Sequence, residues 1–166
     1  MVSGKKKNKK SGMISTNATV ADNRRAGFEY SFEEKFDAGL VLTGTEVKSL
    51  RLGQCSINES HVGPKRGEMF LWNSHIPEYQ QAGRHLQHEP HRPRKLLLKK
   101  KEINRLMGAV QREGYTIIPL RLFFDEKGIA RLQIALAKGM KLHDKRATVK
   151  ERDWNRDKQR IMRERN

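Results

Sequence analysis

Acidic residues are few. Nineteen Asp and Glu face 35 Lys and Arg in a chain of 166 residues, a formal net charge of +16, so composition points to a polyanionic partner. Cysteine is all but missing: Cys55 stands alone, which excludes an intrachain disulfide and suggests a reducing compartment. It reads as a small packed side chain rather than a nucleophile. No apolar run approaches the ~20 residues that cross a bilayer. The opening GKKKNKKSG is basic but no apolar stretch follows it, so it is not read as a secretory signal. A soluble, cytoplasmic protein is expected. A tail lying on a membrane surface fits poorly, because the tail holds too few large apolar residues to bury a face in lipid.

Local signatures of catalysis are missing too. There is no Gly-rich phosphate loop ending in Lys-Ser/Thr, no G-x-S-x-G and no H-E-x-x-H. Glu46 and His61 remain as a pair that folding could unite in an RNA-cleaving site. His85, His88 and His91 are spaced i, i+3, i+6, but Pro90 and Pro93 oppose a helix there and no cysteine adjoins, which argues against a metal. No cofactor is expected.

The charge that is present sits at the ends. Residues 1–25 carry seven Lys/Arg and one Asp, net +6; residues 26–137 carry seventeen against thirteen acids, net +4; residues 138–166 carry eleven against five, net +6. Three parts follow: a disordered basic arm over 1–22, a folded RNA-binding unit over 23–137 and a basic tail over 138–166. In the tail, Thr148 and Glu151 have the spacing of a capping box, predicting a helix from about Val149 on which Trp154, Ile161 and Met162 share a narrow stripe. Lys138 to Ala147 shows no period and predicts an extended strap. A helix this short of apolar residues is marginal alone, so order on binding is expected.

Within the middle part, Phe28, Tyr30 and Phe32 alternate with polar residues and predict a strand, with a second over Gly39–Thr43 after a turn around Asp37 and Gly39. Thr45–Gly53 suits a strand or a short helix, with Val47 and Leu50 at i, i+3 and Gly53 as a stop favouring one or two helical turns. Ser56–Val62 is a weak strand, Gly63–Gly67 a turn, and Met69–Trp72 a strand. Pro77–Arg94 has no period and reads as a long functional loop, with Arg84, Arg92 and Arg94 interleaved with Tyr79 and three histidines, a pattern suited to phosphates and exposed bases. Ile103, Leu106, Met107 and Val110 mark a helix closed by Gly114. Tyr115–Phe124 and Ile129–Ala137 form strands across Asp125–Gly128, and Pro119 predicts an edge or bulge. About six short strands and one clear helix suggest a small curved sheet closed into a barrel.

Five stretches carry a family likeness: NRRA at 23–26, GTEVKSLRLG at 44–53, RPRKLLL at 92–98, EGYTIIPL at 113–120 and ALAKGMKLHDKR at 135–146. In that order, over nearly everything after Ala21, the chain resembles the SmpB family, the SsrA-binding proteins of bacterial trans-translation. The resemblance implies a mainly β chain with short helices, an oligonucleotide-binding-fold (OB-fold-like) closed barrel that grips the tRNA-like domain of transfer-messenger RNA (tmRNA, or SsrA RNA). It implies a non-enzymatic adaptor that stands in for a missing codon–anticodon stem and brings tmRNA to stalled ribosomes, with elongation factor Tu as a partner through tmRNA.

On that resemblance Asn23, Arg24, Arg25, Lys48 and Arg51 would contact the RNA elbow and D-loop region, Asp37 would carry an RNA role, and Arg92, Arg94 and Lys95 would contribute. Lys138, Gly139, Lys141, Asp144, Lys145 and Arg146 would lie on the small-subunit rRNA of the decoding centre, with His143 placed to stack on a base. Trp154, Ile161 and Met162 would belong to a helical end that enters the mRNA channel when it is empty. Two positions depart from the family pattern: Met140 replaces a second Lys, removing one phosphate contact, and Asp37 replaces Glu, shortening a carboxylate by one methylene. Two other readings stay open beside it, a general ribosomal or RNA-chaperone protein and the RNA-cleaving enzyme.

Overall fold

The computed structural model describes residues 12–112 and 114–164. Along the chain come β1 (Ala18–Asp22), α1 (Ala26–Glu29), β2 (Tyr30–Leu40), α2 (Gly44–Arg51), β3 (His61–Lys65), β4 (Glu68–Trp72), a 3-10 turn at Arg84–Leu86, β5 (Arg94–Leu97), α3 (Lys100–Val110), β6 (Tyr115–Phe124), β7 (Ala130–Gly139) and α4 (Leu142–Glu164). The strands run in the order β1-β6-β3-β4-β5-β2-β7, and β6 also pairs with β7. That last pairing closes six strands into an antiparallel barrel, with β1 added on β6 beside its mouth, and closure leaves the barrel strands without a free edge.

Leu50, Met69, Leu71, Leu96, Ile117, Leu122, Leu132 and Ile134 fill the barrel, and α3 lays Leu106 and Ala109 against the same core. A smaller cluster of Ala26, Ile118, Leu120, Ala135 and Ala137 lies under α1, with Tyr30 and Phe32 against it. β6 is therefore apolar on both faces where it passes between the two clusters, which is why its sequence reads as a run rather than an alternation. Pro119 sits at a register shift between Pro119 and Arg121 against β7, as expected of a proline inside a paired strand.

Several expectations are corrected. β2 is one strand of eleven residues; there is no turn at Asp37 or Gly39. Gly39 lies opposite both Leu97 and Arg131, and a Cβ there would come within 3.1 Å of the Leu97 Cβ. The glycine permits a close strand crossing, which sequence cannot distinguish from a turn. Phe28 belongs to α1 rather than to a strand. Ser56 makes only an isolated bridge to His75, and Gly63-Pro64-Lys65 is strand; the reversal is confined to Arg66 and Gly67, at φ 51° and 77°, the left-handed pair of a tight hairpin.

The arm expected over 1–22 is ordered from Ile14, whose amide donates to the Arg51 carbonyl at 2.7 Å, through β1; residues 1–11 lie outside the described residues. At the other end, the strap expected over 138–147 is extended only at its start. Lys138 and Gly139 finish β7, and α4 is already helical from Leu142, 23 residues in all. The Thr148 hydroxyl donates to the Asp144 carbonyl at 2.9 Å instead of capping a new helix. Asp144 in the first turn complements the helix dipole.

Candidate nucleic-acid interface

Three residues after β1 form one corner. Asn23 is only 7% exposed. Its Nδ2 donates to the Pro119 carbonyl at 3.1 Å and its Oδ1 accepts from the Ala26 amide at 3.3 Å. It fastens the turn to β6 and leaves the next two side chains outside. The Arg24 side chain is 89% exposed and has only a 3.9 Å approach to Asp22. Arg25 stands loosely between Glu29 at 3.6 Å and Glu59 at 3.5 Å. Exposed pairs this long are worth little, so both guanidinium groups are available to phosphates.

The second corner is α2 with the 77–94 loop. Thr43 caps α2 through a reciprocal box with Glu46. Glu46 does more than cap: its carboxylate, fully buried, also takes Arg92 at 2.8 Å and Arg94 at 2.9 Å. Burial pushes the Glu46 carboxyl up, but hydrogen bonds from Arg92 and the Thr43 amide, with the charges of Arg94 and Arg92, outweigh it and hold the group below the ordinary value of 4.5. Arg94 is 0% exposed and spends its remaining donors on the Ser74 carbonyl and hydroxyl and on the Pro90 carbonyl. The RNA contact expected of Arg94 is therefore not available; it is the internal strut of the loop. Buried His88 pins the loop a second time, with Nδ1 2.8 Å from Thr45 Oγ1 and Nε2 2.9 Å from the Ile76 carbonyl.

Lys48 projects from α2 into solvent, its Nζ 5.4 Å from the Tyr79 ring centroid. Arg51 lies over Phe124 at 4.8 Å and donates to the Ile14 and Gly128 carbonyls, so it ties the N-terminal segment to the barrel while staying half-exposed. Arg92 keeps a third of its side chain in solvent. Lys95 pairs with Glu68 at 2.8 Å, and Asp37 accepts from Gln133 at 3.2 Å across to β7. Cys55 is inert as a nucleophile: burial pushes its thiol up to about 12, against a smaller opposing pull from Arg94.

Glu46 and His61 are not brought together for catalysis. Glu46 is sealed between its two arginines, whereas exposed His61 lines a shallow cavity with Asn23, Arg25, Glu29 and Glu59. Of the three loop histidines, His88 has both ring nitrogens occupied, and His91 packs against His75 at 4.8 Å. Among the described residues no helix is long and apolar enough to cross a membrane.

The tail residues begin at the end of β7 and continue beyond the barrel. Lys138, Gly139, Lys141 and Arg146 are exposed and Lys145 is half-buried; the His143 side chain is 93% exposed, 3.5 Å from Asp144. On α4, Trp154, Ile161 and Met162 are 69%, 50% and 61% exposed, an apolar stripe left largely open among the described residues. Arg152 docks the helix on α1: it lies over the Phe28 ring at 4.4 Å and donates to the Gly27 carbonyl at 2.9 Å. Sequence reasoning missed this contact, and also Lys65 over Phe70 and Trp72. The second was legible in the alternation of Glu68–Trp72, had Gly63–Lys65 been read as strand.

Comparison with known proteins completes the picture. A family model described as "SmpB protein" matches residues 20–164, barrel and tail together. The chain belongs to the SmpB family. It is 58% identical to an SsrA-binding protein of Azorhizobium caulinodans over 146 residues, 88% of this chain and 91% of that one. With an SsrA-binding protein of Rhodospirillum rubrum it shares 52% over 145 residues, 87% and 91% of the two chains. Among solved structures, a chain from "tmRNA-SmpB: a journey to the center of the bacterial ribosome" superposes with a TM-score of 0.60 at 42% identity, covering 73% of this chain and 84% of that one. The SmpB family match thus extends over both corners and α4.

Proposed function

We propose that this chain is a tmRNA-binding adaptor of trans-translation, holding the tRNA-like domain of tmRNA on its barrel and bringing it to stalled ribosomes. The observation that carries the reading is the extent of the family match, residues 20–164, which places the barrel and the cationic helix within one relationship to proteins named for binding SsrA RNA. The two corners fit a folded RNA read by its contour. Asn23 positions, Arg24 and Arg25 reach phosphates, and Lys48 beside Tyr79 offers a cation with a ring; Arg51, Arg92, Lys95 and Asp37 act at the margins through side chains already partly committed.

The tail carries the second half of the role. Lys138, Gly139, Lys141, His143, Asp144, Lys145 and Arg146 would meet the rRNA of the decoding centre, where His143 stacks. The 23 residues of α4 span about 35 Å, long enough to lie in an mRNA channel with Trp154, Ile161 and Met162 against its wall. An occupied channel excludes the helix, which makes the tail a sensor of vacancy. Elongation factor Tu is met through tmRNA, the work is done in the cytoplasm, and it needs no catalytic step from this chain.

Recovery of the tagged protein from its own cells, followed by sequencing of the bound RNA, tests this reading. tmRNA should be enriched far above tRNAs and rRNA fragments. Equal recovery of unrelated RNAs would favour a general RNA chaperone.

A further inference from the structure

We propose that the outer face of the β3–β4 hairpin is an additional RNA site, a stacking platform for unpaired nucleotides built by Phe70, Trp72 and Lys65. Across the hairpin His61 pairs with Trp72, Gly63 with Phe70 and Lys65 with Glu68. Met69 and Leu71 turn inward and are fully buried, so Phe70 and Trp72 face outward, where neither contributes to the core. Outward positions of a half-solvated strand are ordinarily polar. Two neighbouring rings there need a reason.

The rings are held in place. The Trp72 Nε1 donates to the Gly63 carbonyl at 3.4 Å, and the indole lies over Gly63, where a Cβ would stand in van der Waals contact with that nitrogen at 3.5 Å. The Phe70 and Trp72 centroids are 6.2 Å apart with the planes inclined at 46°. Lys65 Nζ stands 5.5 Å from the Trp72 centroid and 5.7 Å from that of Phe70, one ammonium shared by two π faces. Arg66 at the hairpin tip is exposed, and neither it nor Lys65 makes an ion pair among the described residues.

A nucleobase can take the place of the ammonium over the rings, which frees Lys65 to meet the phosphate of the same nucleotide while Arg66 meets the next one. Base-paired RNA hides its π faces, so the ligand is single-stranded, and stacking makes the site tolerant of sequence. This site goes beyond the adaptor reading and does not depend on which RNA the barrel holds.

Trp72 is its own reporter. Trp154 is the second of two tryptophans, so the full chain carrying Trp154→Phe emits from Trp72 alone. Titration with a short oligouridylate should quench that emission saturably, and prior annealing of the oligonucleotide to its complement should abolish the quenching. Lys65→Glu and Phe70→Leu should each weaken single-strand binding by about tenfold, the scale of one stacked base; Lys65→Glu, at a solvated position, decides the matter if Phe70→Leu fails to fold. Quenching by duplex as strong as by single strand, or quenching indifferent to Lys65→Glu, would overturn the proposal. Affinity for tmRNA is measured on the same proteins, so that its absence in the unaltered chain counts against the adaptor reading and leaves the quenching result standing.

Discussion

At the scale of single residues, chemistry alone does not say which cations meet RNA. Arg24 and Arg94 are the same side chain, yet one is 89% exposed with a distant partner and the other is sealed against Glu46 and Ser74. Removing Arg94 leaves a buried carboxylate short of a partner, a loss of about 3–5 kcal/mol. Arg94→Ala should therefore lower the denaturant midpoint strongly, while the fraction that remains folded keeps its RNA affinity. Arg24→Ala should do the reverse, leaving the midpoint unchanged and weakening RNA binding; urea titration and filter binding on both variants check the pair. The sequence made RPRK look like one basic patch because the acid that disarms it lies about 48 residues upstream. Asn23 was legible as important but not as a fastener, since its side-chain partner on β6, the Pro119 carbonyl, is 96 residues away.

The same carboxylate sets a pH dependence. Glu46 is held below its ordinary value of 4.5, so the folded state binds this proton less readily than the unfolded chain. Its contribution is complete above the ordinary carboxylate range and is lost as the pH falls through the depressed value. Thermal melts should show the wild type losing stability below about pH 5, and Glu46→Gln, less stable at neutral pH, should change less over that interval.

At the scale of elements, the barrel was readable where period and turn chemistry agreed. α3, β6, β7 and the Asp125–Gly128 reversal follow from local pattern. β2 was divided in two because Gly39 and Asp37 carry turn chemistry, while the physical reason for Gly39 is the Leu97 side chain of another strand. The tail failed in the opposite direction: Lys138–Ala147 lacks a period, yet is helical from Leu142, where Asp144 complements the dipole of the first turn and Arg152 docks the helix against α1. Arg152, over Phe28 and on the Gly27 carbonyl, docks α4 against α1. Arg152→Ala should make the tail more susceptible to limited proteolysis and reduce helical circular dichroism, with the melting temperature of the barrel unchanged. Equal protease resistance in the two proteins would show that the helix stands without its anchor.

At the scale of the molecule, charge is divided as structure is. Twelve of the excess positive charges lie on residues 1–25 and 138–166. If about six phosphates are neutralised, log affinity for tmRNA should fall against log salt with a slope of about −4 to −5. Removing the two exposed arginines of the first corner should flatten that slope by about two units, which isothermal titration across a salt series reads directly.

The division of labour between barrel and tail is tested most directly by ending the chain after Lys141, which keeps β7 whole and removes α4. Affinity for tmRNA and peptide tagging on stalled ribosomes are then measured with the same preparation. Tight tmRNA binding with tagging abolished is the expected result. Loss of both together, or tagging that survives without α4, would contradict the account.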